Sequence, residues 1–428
     1  MVPPGQLFGV VPLWVGVYLI AAVGFGLAGY ALYQRFISLI LLGRRDEKRQ
    51  DAPLKRFWYM FRVVFAQMRV LMSVSLKRRD MAGIGHFVIF WTFITMVLGD
   101  TLFYFLDSIN PWISGYILTP LGLRLFVEWQ DIIATLVIVA IAWGAIRRWA
   151  VRPSRLRKLI SLDAAVVLLL IGGLVLAHQL SQVMFAASMH IAQAEGTTLT
   201  HLELNRASDF VLESVIAGNI GKALADAGIP LGVATTLHGL FWWTSFIITM
   251  GFAIYIPYSK HNHIVVSPLN IFLNSRKPKG ALIPIENLET AERFGAGRVT
   301  DFSWKELIDG YACAVCGRCT DNCPANLTGK TLSPMDIVEK TKAHLLEVGP
   351  KIKEAKKKGI PLEELKLPSL IGDVITEDEI WACTTCGACE YQCPVAVEHI
   401  DSIMDLRRHL VLEKSSLPET AQQALLSM

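Results

Sequence analysis

Eight cysteines carry the most specific chemistry in this chain, and all eight lie in two short runs near its C-terminal end. The first run is Cys313-Ala-Val-Cys316-Gly-Arg-Cys319-Thr-Asp-Asn-Cys323-Pro324. The second is Cys383-Thr-Thr-Cys386-Gly-Ala-Cys389-Glu-Tyr-Gln-Cys393-Pro394. C-x2-C-x2-C-x3-C-P is the spacing that ligates [4Fe–4S] clusters, and its chemistry is one-electron transfer. Three thiolates on a tight loop reach three irons, so the fourth must come from elsewhere. In two-cluster proteins the last cysteine of each run crosses to the other cluster. The expected sets are Cys313, Cys316, Cys319 and Cys393 on one cubane, and Cys383, Cys386, Cys389 and Cys323 on the other. Zinc sites usually take paired two-cysteine knuckles, and disulfides do not suit a reducing compartment. Gly317 and Gly387 let the backbone pass close to sulfide, and Pro324 and Pro394 turn the chain away.

The elements that position these runs divide the chain in two. Of 428 residues, 53% are hydrophobic and 18% charged, with a mean hydropathy of +0.42. That is too apolar for one soluble globule and fits a membrane protein with a soluble appendage. Five runs reach the roughly 20 residues a crossing needs: Phe8 to Leu32, Ile84 to Leu106, Phe126 to Ile146, Ala164 to Ala186 and Leu240 to Ile256. The first lacks basic residues before it and is too long for a signal-peptide core, so it reads as a retained helix. Lys and Arg crowd the segments after the first and third runs, including Arg44, Arg45, Lys77, Arg78, Arg147, Arg148 and Arg152. The positive-inside rule then places the N-terminus outside and the cysteines in the cytoplasm, at the inner membrane. Topology explains the basic residues, and a net charge of +4 adds no case for nucleic acid.

Segments 36–80 and 187–235 are too polar to span and read as interfacial helices. The expected fold is all-α. Residues 1–258 form a cytochrome b-like bundle of five transmembrane helices, residues 259–300 a linker, and residues 301–415 a cytoplasmic α-helical ferredoxin domain. Residues 416–428 form a tail. Ser303, Ser333-Pro334 and Thr376 read as helix starts, and His399 to Glu413 as a helix packing on the clusters. The basic run Lys351 to Lys358 is a solvated face or a docking surface.

Ten histidines are present, and depth decides among them, because ionisable residues within a membrane are functional candidates. His86 begins the second run at its cytoplasmic end, while His261 and His263 follow the fifth. Neutral imidazoles on two helices at one depth can clamp a b-type haem. His178 lies 15 residues beyond Asp163, about 22 Å at 1.5 Å per residue, and His238 opens the fifth run. This second pair would hold an outer haem. His190, His201, His344, His399 and His409 read as structural. Asp100, Glu128 and Asp131 sit at the outer ends of the second and third runs, where a carboxylate could move protons for quinone chemistry. Helix-end polarity is the alternative for them.

Gly83-Ile-Gly-His86 with Phe90-Trp91 resembles the second helix of cytochrome b subunits of the respiratory nitrate reductase gamma type. Pro257-Tyr-Ser-Lys-His-Asn-His263 resembles the exit of that family's fifth helix, which implies that His263 pairs with His86 on the inner haem. The family's distal haem positions correspond to Met96 and Ser245, so an outer haem would need His178 and His238 instead. The C-terminal part resembles heterodisulfide-reductase-related iron–sulfur proteins through Cys313-Ala-Val-Cys-Gly-Arg-Cys, Gly329-Lys-Thr-Leu-Ser-Pro, Ile380-Trp-Ala-Cys-Thr-Thr-Cys-Gly-Ala-Cys and His399-Ile-Asp-Ser-Ile-Met-Asp-Leu-Arg-Arg. That group usually continues into cysteine-rich CCG domains with catalytic clusters. No cysteine is left here for them, so the substrate-reducing part is expected on another subunit, or the protein only relays electrons.

The resemblance implies a quinone oxidoreductase, working as a subunit of a larger complex and carrying two [4Fe–4S] clusters and one or two haem b. The favoured function passes electrons from cytoplasmic electron-transfer flavoprotein to membrane menaquinone. The alternatives are a quinol-oxidising subunit feeding a separate CCG redox subunit, and a non-catalytic redox anchor or sensor. The implied partners are membrane lipid and quinone with one of those redox proteins, and no nucleic acid.

Overall fold

A computed structural model describes residues 6–7, 11–45, 49, 51–74, 81–99, 101, 105–106, 113, 117–152, 162–199, 208–278, 281–285, 289–291 and 293–428. Five helices are long and apolar enough to cross a membrane: Trp14–Ile40, Ala82–Gly99, Pro120–Val151, Leu162–Glu195 and Leu231–Tyr258. The described residues are otherwise helix and loop, apart from a two-residue antiparallel ladder pairing Gln6–Leu7 with Val11–Pro12. The all-α expectation holds. The described residues group into two compact units, one within Met1–Gly29, Val70–Pro153 and Ile160–Tyr255, the other within Tyr30–Arg69 and Ile256–Met428.

In the first unit the helices are apolar all round, and large side chains such as Leu19, Leu169, Leu240 and Ile247 stay exposed on them. Such a surface is stable only in a lipid solvent. The inner faces pack tightly. Val17 and Ala21 of the first span meet Trp242, Phe246 and Met250 of the fifth. A Cβ on Gly99 would lie 2.1 Å from the Gln130 amide nitrogen. The missing side chain therefore lets the second and third spans close, with Gln130 donating to the Thr95 carbonyl at 3.2 Å. The third span starts with Pro120 in its first turn, and the Thr119 hydroxyl accepts from Gly122 N–H, a standard N-terminal cap.

The segment expected as interfacial differs in part. The fourth helix runs on without a break to Glu195, and Ala217–Asp226 packs against it. The close approach comes from small residues, since a Cβ on Gly221 would collide with Ala186, Ala187 and the Val183 carbonyl.

The second unit is built on a core including Phe302, Leu307, Leu345, Val348, Ile380 and Leu406, joined by Phe36 and Leu39 at the end of the first span. Sequence caps set its helices. Ser303 and Glu306 form a reciprocal capping box before Trp304–Ala312, and Thr376 and Glu379 form another before Glu377–Trp381. Ser333 caps the insert helix Pro334–Lys358, which ends at Gly359 in the left-handed region. Two segments differ from expectation here. The residues expected as a linker contain a helix, His263–Phe272, packed on Trp304–Ala312 and on the amphipathic helix Pro53–Val64. Residues 30–69 therefore belong to the same unit as the cysteines. The reason is polar as well as apolar: the fully buried Asn270 amide donates to Asp309 Oδ1 at 2.8 Å and to the Val395 and Ala396 carbonyls at 3.0 and 3.3 Å.

Candidate iron–sulfur and haem sites

The two cysteine runs fold as near-copies. Val315 and Thr385 have φ of 52° and 53°, and Gly317 and Gly387 have φ of 75° and 74°. Left-handed backbone at a β-branched residue costs of order 1–3 kcal/mol and persists only where the surroundings demand it. Here it turns amide N–H groups inward toward sulfur. Thr385 N–H reaches Cys383 Sγ at 3.4 Å, and Val397 N–H reaches Cys393 Sγ at 3.3 Å. Such donors stabilise thiolate charge and tune cluster potential.

Thiols of the two runs lie close enough to act on one another. Burial pushes the Cys313 thiol up, a Val315 N–H pulls it down, and the neighbouring Cys393 and Cys316 push it further up. Burial also raises Cys319, with Cys313, Cys316, Cys393 and Cys389 adding to the rise. Cys393 is pushed up to about 12, first by burial, with Cys316 among the lesser causes. On the other side, burial raises Cys383, a Thr385 N–H and the Arg407 charge lower it, and Cys323 and Cys386 raise it. Burial raises Cys389, with Glu390, Cys383 and Cys323 contributing. Buried thiols that raise one another in this way are costly as thiolates unless irons take the charge, so the donor chemistry fits iron–sulfur clusters. Among the described residues no three His, Cys, Asp or Glu converge on a single-ion site. A cubane spreads its four thiolates, one per iron, and asks for no such convergence.

Several supporting residues carry no motif signal. Lys305, fully buried, bonds Asp309 Oδ1 at 2.9 Å and lies 3.7 Å from Glu398. Arg49 grips Glu398 through two bonds of 2.6 and 3.2 Å. Burial pulls Lys305 down, but Asp309 and Glu398 more than offset it and hold it charged. This network ties the helix entering the first run to the segment leaving Cys393. Arg69 donates to the Cys393 carbonyl at 2.8 Å. The second run is held by Arg407, whose guanidinium donates to the Ile380, Trp381 and Cys383 carbonyls and lies over the Trp381 ring.

In the first unit His178 and His238 are both buried, on the packed fourth and fifth spans. His238 Nδ1 lies 3.0 Å from the Ser181 carbonyl and 3.1 Å from its hydroxyl. A carbonyl only accepts, so that bond puts the proton on Nδ1 and the lone pair on Nε2, the form that ligates a metal. Ser181 is one turn from His178, on the same helix face. Met96 and Ser245 are buried in this unit, Ser245 Oγ lying 3.5 Å from the Leu174 carbonyl. His86 is exposed on the second span.

In the second unit His263 Nδ1 lies 2.9 Å from the Lys260 carbonyl, the same tautomeric arrangement. Burial lowers its pKa, keeping the imidazole neutral. The His261 ring packs edge-on against it at 5.1 Å. Burial pulls His399 down to about 4, and His409 pairs with Glu413 at 2.8 Å. His344 is buried and His190 half-buried.

Among the carboxylates, Asp131 is a helix cap for a neighbour. It accepts from Gln179 at 2.5 Å, Ile216 N–H at 2.7 Å and Ala217 N–H at 3.1 Å, at the start of Ala217–Asp226. This is the dipole interaction expected of an acid at a helix N-terminus, but the helix is not its own. Glu128 accepts one bond, from Val215 N–H at 3.3 Å. Asp100 and His201 lie outside the described residues.

Residues 312–397 match the family model of a 4Fe-4S dicluster domain. The chain is 33% identical over 419 residues to a probable iron-sulfur-binding oxidoreductase, FadF, of Bacillus subtilis, covering 92% of this chain and 55% of that protein. It is 30% identical over 407 residues to the EtfAB:quinone oxidoreductase of Syntrophomonas wolfei, covering 92% and 54%. The cluster part is 29% identical over 106 residues to an iron-sulfur subunit of the CoB–CoM heterodisulfide reductase of Methanopyrus kandleri, covering 25% of this chain and 42% of that relative. The chain thus spans about half the length of the first two relatives. No solved structure matches. The similarity supports an iron–sulfur protein whose two cysteine runs belong to a 4Fe-4S dicluster domain.

Proposed function

We propose that the chain passes electrons between a cytoplasmic donor, electron-transfer flavoprotein, and membrane menaquinone, holding two [4Fe–4S] clusters and b-type haem. The observation that carries this reading is the match of residues 312–397, which hold both cysteine runs, to a 4Fe-4S dicluster domain, in a chain whose described residues include five membrane-length helices. When bound, the clusters and haem supply the one-electron steps between a flavin donor and a quinone. Cys313, Cys316, Cys319 and Cys393 would hold one cluster, and Cys383, Cys386, Cys389 and Cys323 the other. Arg69 and Arg407 fix the carbonyls of Cys393 and Cys383 and so orient the loops.

His86 and His263 would hold the inner haem, with the Lys260 carbonyl keeping the His263 Nε2 lone pair available. His238, oriented by Ser181, is the better-prepared residue for an outer haem with His178. Quinone reduction takes up protons. Glu128, with one long hydrogen bond, is freer to carry them than Asp131, whose oxygens are engaged by three donors. The N-terminus would lie outside the inner membrane and the cysteines in the cytoplasm.

The similarity to a heterodisulfide reductase iron-sulfur protein favours a second reading, in which menaquinol is oxidised and a separate CCG protein receives the electrons. The test uses the full chain in nanodiscs with menaquinone and reduced electron-transfer flavoprotein. Menaquinol formation and a b-haem band in the reduced-minus-oxidised spectrum, both lost in His86→Ala, are expected. A b-haem band unchanged in His86→Ala overturns the haem assignment. Absence of menaquinol formation, with CCG proteins copurifying, favours the second reading.

A further inference from the structure

The second unit holds a cavity of about 390 Å³ lined by no cysteine. Lys55, Arg56 and Tyr59 of the helix Pro53–Val64 form one wall, and Arg276 and Lys277 another. Arg69 also faces it, as do Glu390, Glu398 and Asp401. The charges are not equivalent. Glu398 is engaged by Arg49 and Lys305, and Arg56 by Asp51 and by the Phe272 and Asn274 carbonyls. Arg276 pairs with Asp51 at 2.8 Å. Lys55 and Lys277 are exposed and, among the described residues, have no carboxylate within salt-bridge reach. The cavity thus offers two ammonium groups with no carboxylate partner among the described residues, beside Arg56, Arg276 and Glu398, which are already paired.

The same helix carries a second signal. Leu54, Phe57, Trp58 and Phe61 recur at helical spacing and are 67%, 44%, 54% and 40% exposed. An aromatic stripe in water beside a basic edge is the pattern of a helix lying in the membrane interface. The end of the first span, from Tyr30 to Ile40, belongs to this same unit. Within it, Lys353 reaches the Ser38 hydroxyl at 2.8 Å and the Tyr311 hydroxyl reaches the Arg35 carbonyl at 2.5 Å. The unit thus contains both the end of a membrane-length helix and the amphipathic helix Pro53–Val64.

We propose that this cavity binds the phosphodiester headgroup of an acidic phospholipid, with Lys55 and Lys277 as the charge-reading residues and the Leu54–Phe61 stripe along the acyl chains. Lysine stems that run along apolar surface while the ammonium stays at the headgroup level suit this placement. A bound lipid would anchor the segment that follows Cys393, because Ala396, Val397 and Glu398 line the opposite wall.

Native mass spectrometry of the full chain tests this, after reconstitution in nanodiscs of phosphatidylglycerol with phosphatidylcholine. Wild type is expected to retain phosphatidylglycerol, and Lys55→Gln with Lys277→Gln to retain it about thirtyfold less, at roughly 1 kcal/mol per surface lysine. Both substitutions are at exposed positions, and an unchanged thermal melt in pure phosphatidylcholine checks that the double variant is folded. Equal retention by wild type and the folded variant overturns the proposal. So does inorganic phosphate displacing the lipid at equal concentration, since that would make the site one for a soluble anion.

Discussion

The two cysteine loops have almost the same backbone and opposite surroundings. In the first, Cys313 and Cys319 are buried and Cys316 partly so, and the loop is backed by the buried network of Lys305, Asp309, Glu398 and Arg49. In the second, Cys386 is exposed and Cys383 partly so, and a single half-buried arginine holds the carbonyls. The motif specifies the loop, and the elements flanking it decide how far solvent and partners can reach. Solvent therefore reaches the second loop through Cys386, while the first is more enclosed.

Removing support from the more enclosed loop should have the largest effect. Lys305→Met leaves Asp309 and Glu398 buried with one cation fewer. We expect a loss of about 3–5 kcal/mol, read by denaturant unfolding of the full chain in detergent. A change under about 1 kcal/mol would mean the network is ornamental.

Acid should separate the loops next. His399 has a folded pKa of about 4 against an ordinary 6.5. The unfolded chain binds more protons between those values, so the stability His399 lends is full above pH 6.5 and is lost as pH falls toward 4, by about 3 kcal/mol. Glu398 is pulled the same way: burial raises its pKa, but Lys305 and Arg49 outweigh that and lower it, so its contribution also falls away in acid. His399→Gln should flatten the unfolding profile over that window, and an unflattened profile would assign the acid sensitivity elsewhere.

The exposed loop gives the smaller effects. Arg407→Gln removes charged hydrogen bonds to the second loop and should cost about 2 kcal/mol, while shifting the potential of the second cluster alone. Equal shifts in both clusters would break the contrast. A water-soluble oxidant should destroy the second cluster about tenfold faster than the first, read as loss of its EPR signal.

The dicluster cysteine runs, five membrane-length helices among the described residues and the caps at Ser303, Ser333 and Thr376 were all legible, because each depends on local spacing or on a run of apolar residues. The supports of the loops were not. Nothing near Lys305, Asn270 or Arg49 distinguishes a buried ion network from ordinary surface polarity, because apart from Asp309, four residues from Lys305, the partners lie tens to hundreds of residues away. Asp131 misleads for the same reason. Its position at a helix start suggests its own helix as partner, whereas the amides it caps belong to residues 216 and 217. The segment read as a linker hides a helix because Ser259, Asn262 and Pro268 look like loop chemistry until Asn270 finds its carbonyls.

The crossing of the two runs is the claim on which the rest depends. Its most direct measurement is the EPR spectrum of reduced membranes carrying Cys393→Ser. The account predicts that the cluster of Cys313, Cys316 and Cys319 loses its signal, or converts to a three-iron form, while that of Cys383, Cys386 and Cys389 is unchanged. Two intact cubane signals, or loss from the second loop instead, would contradict it.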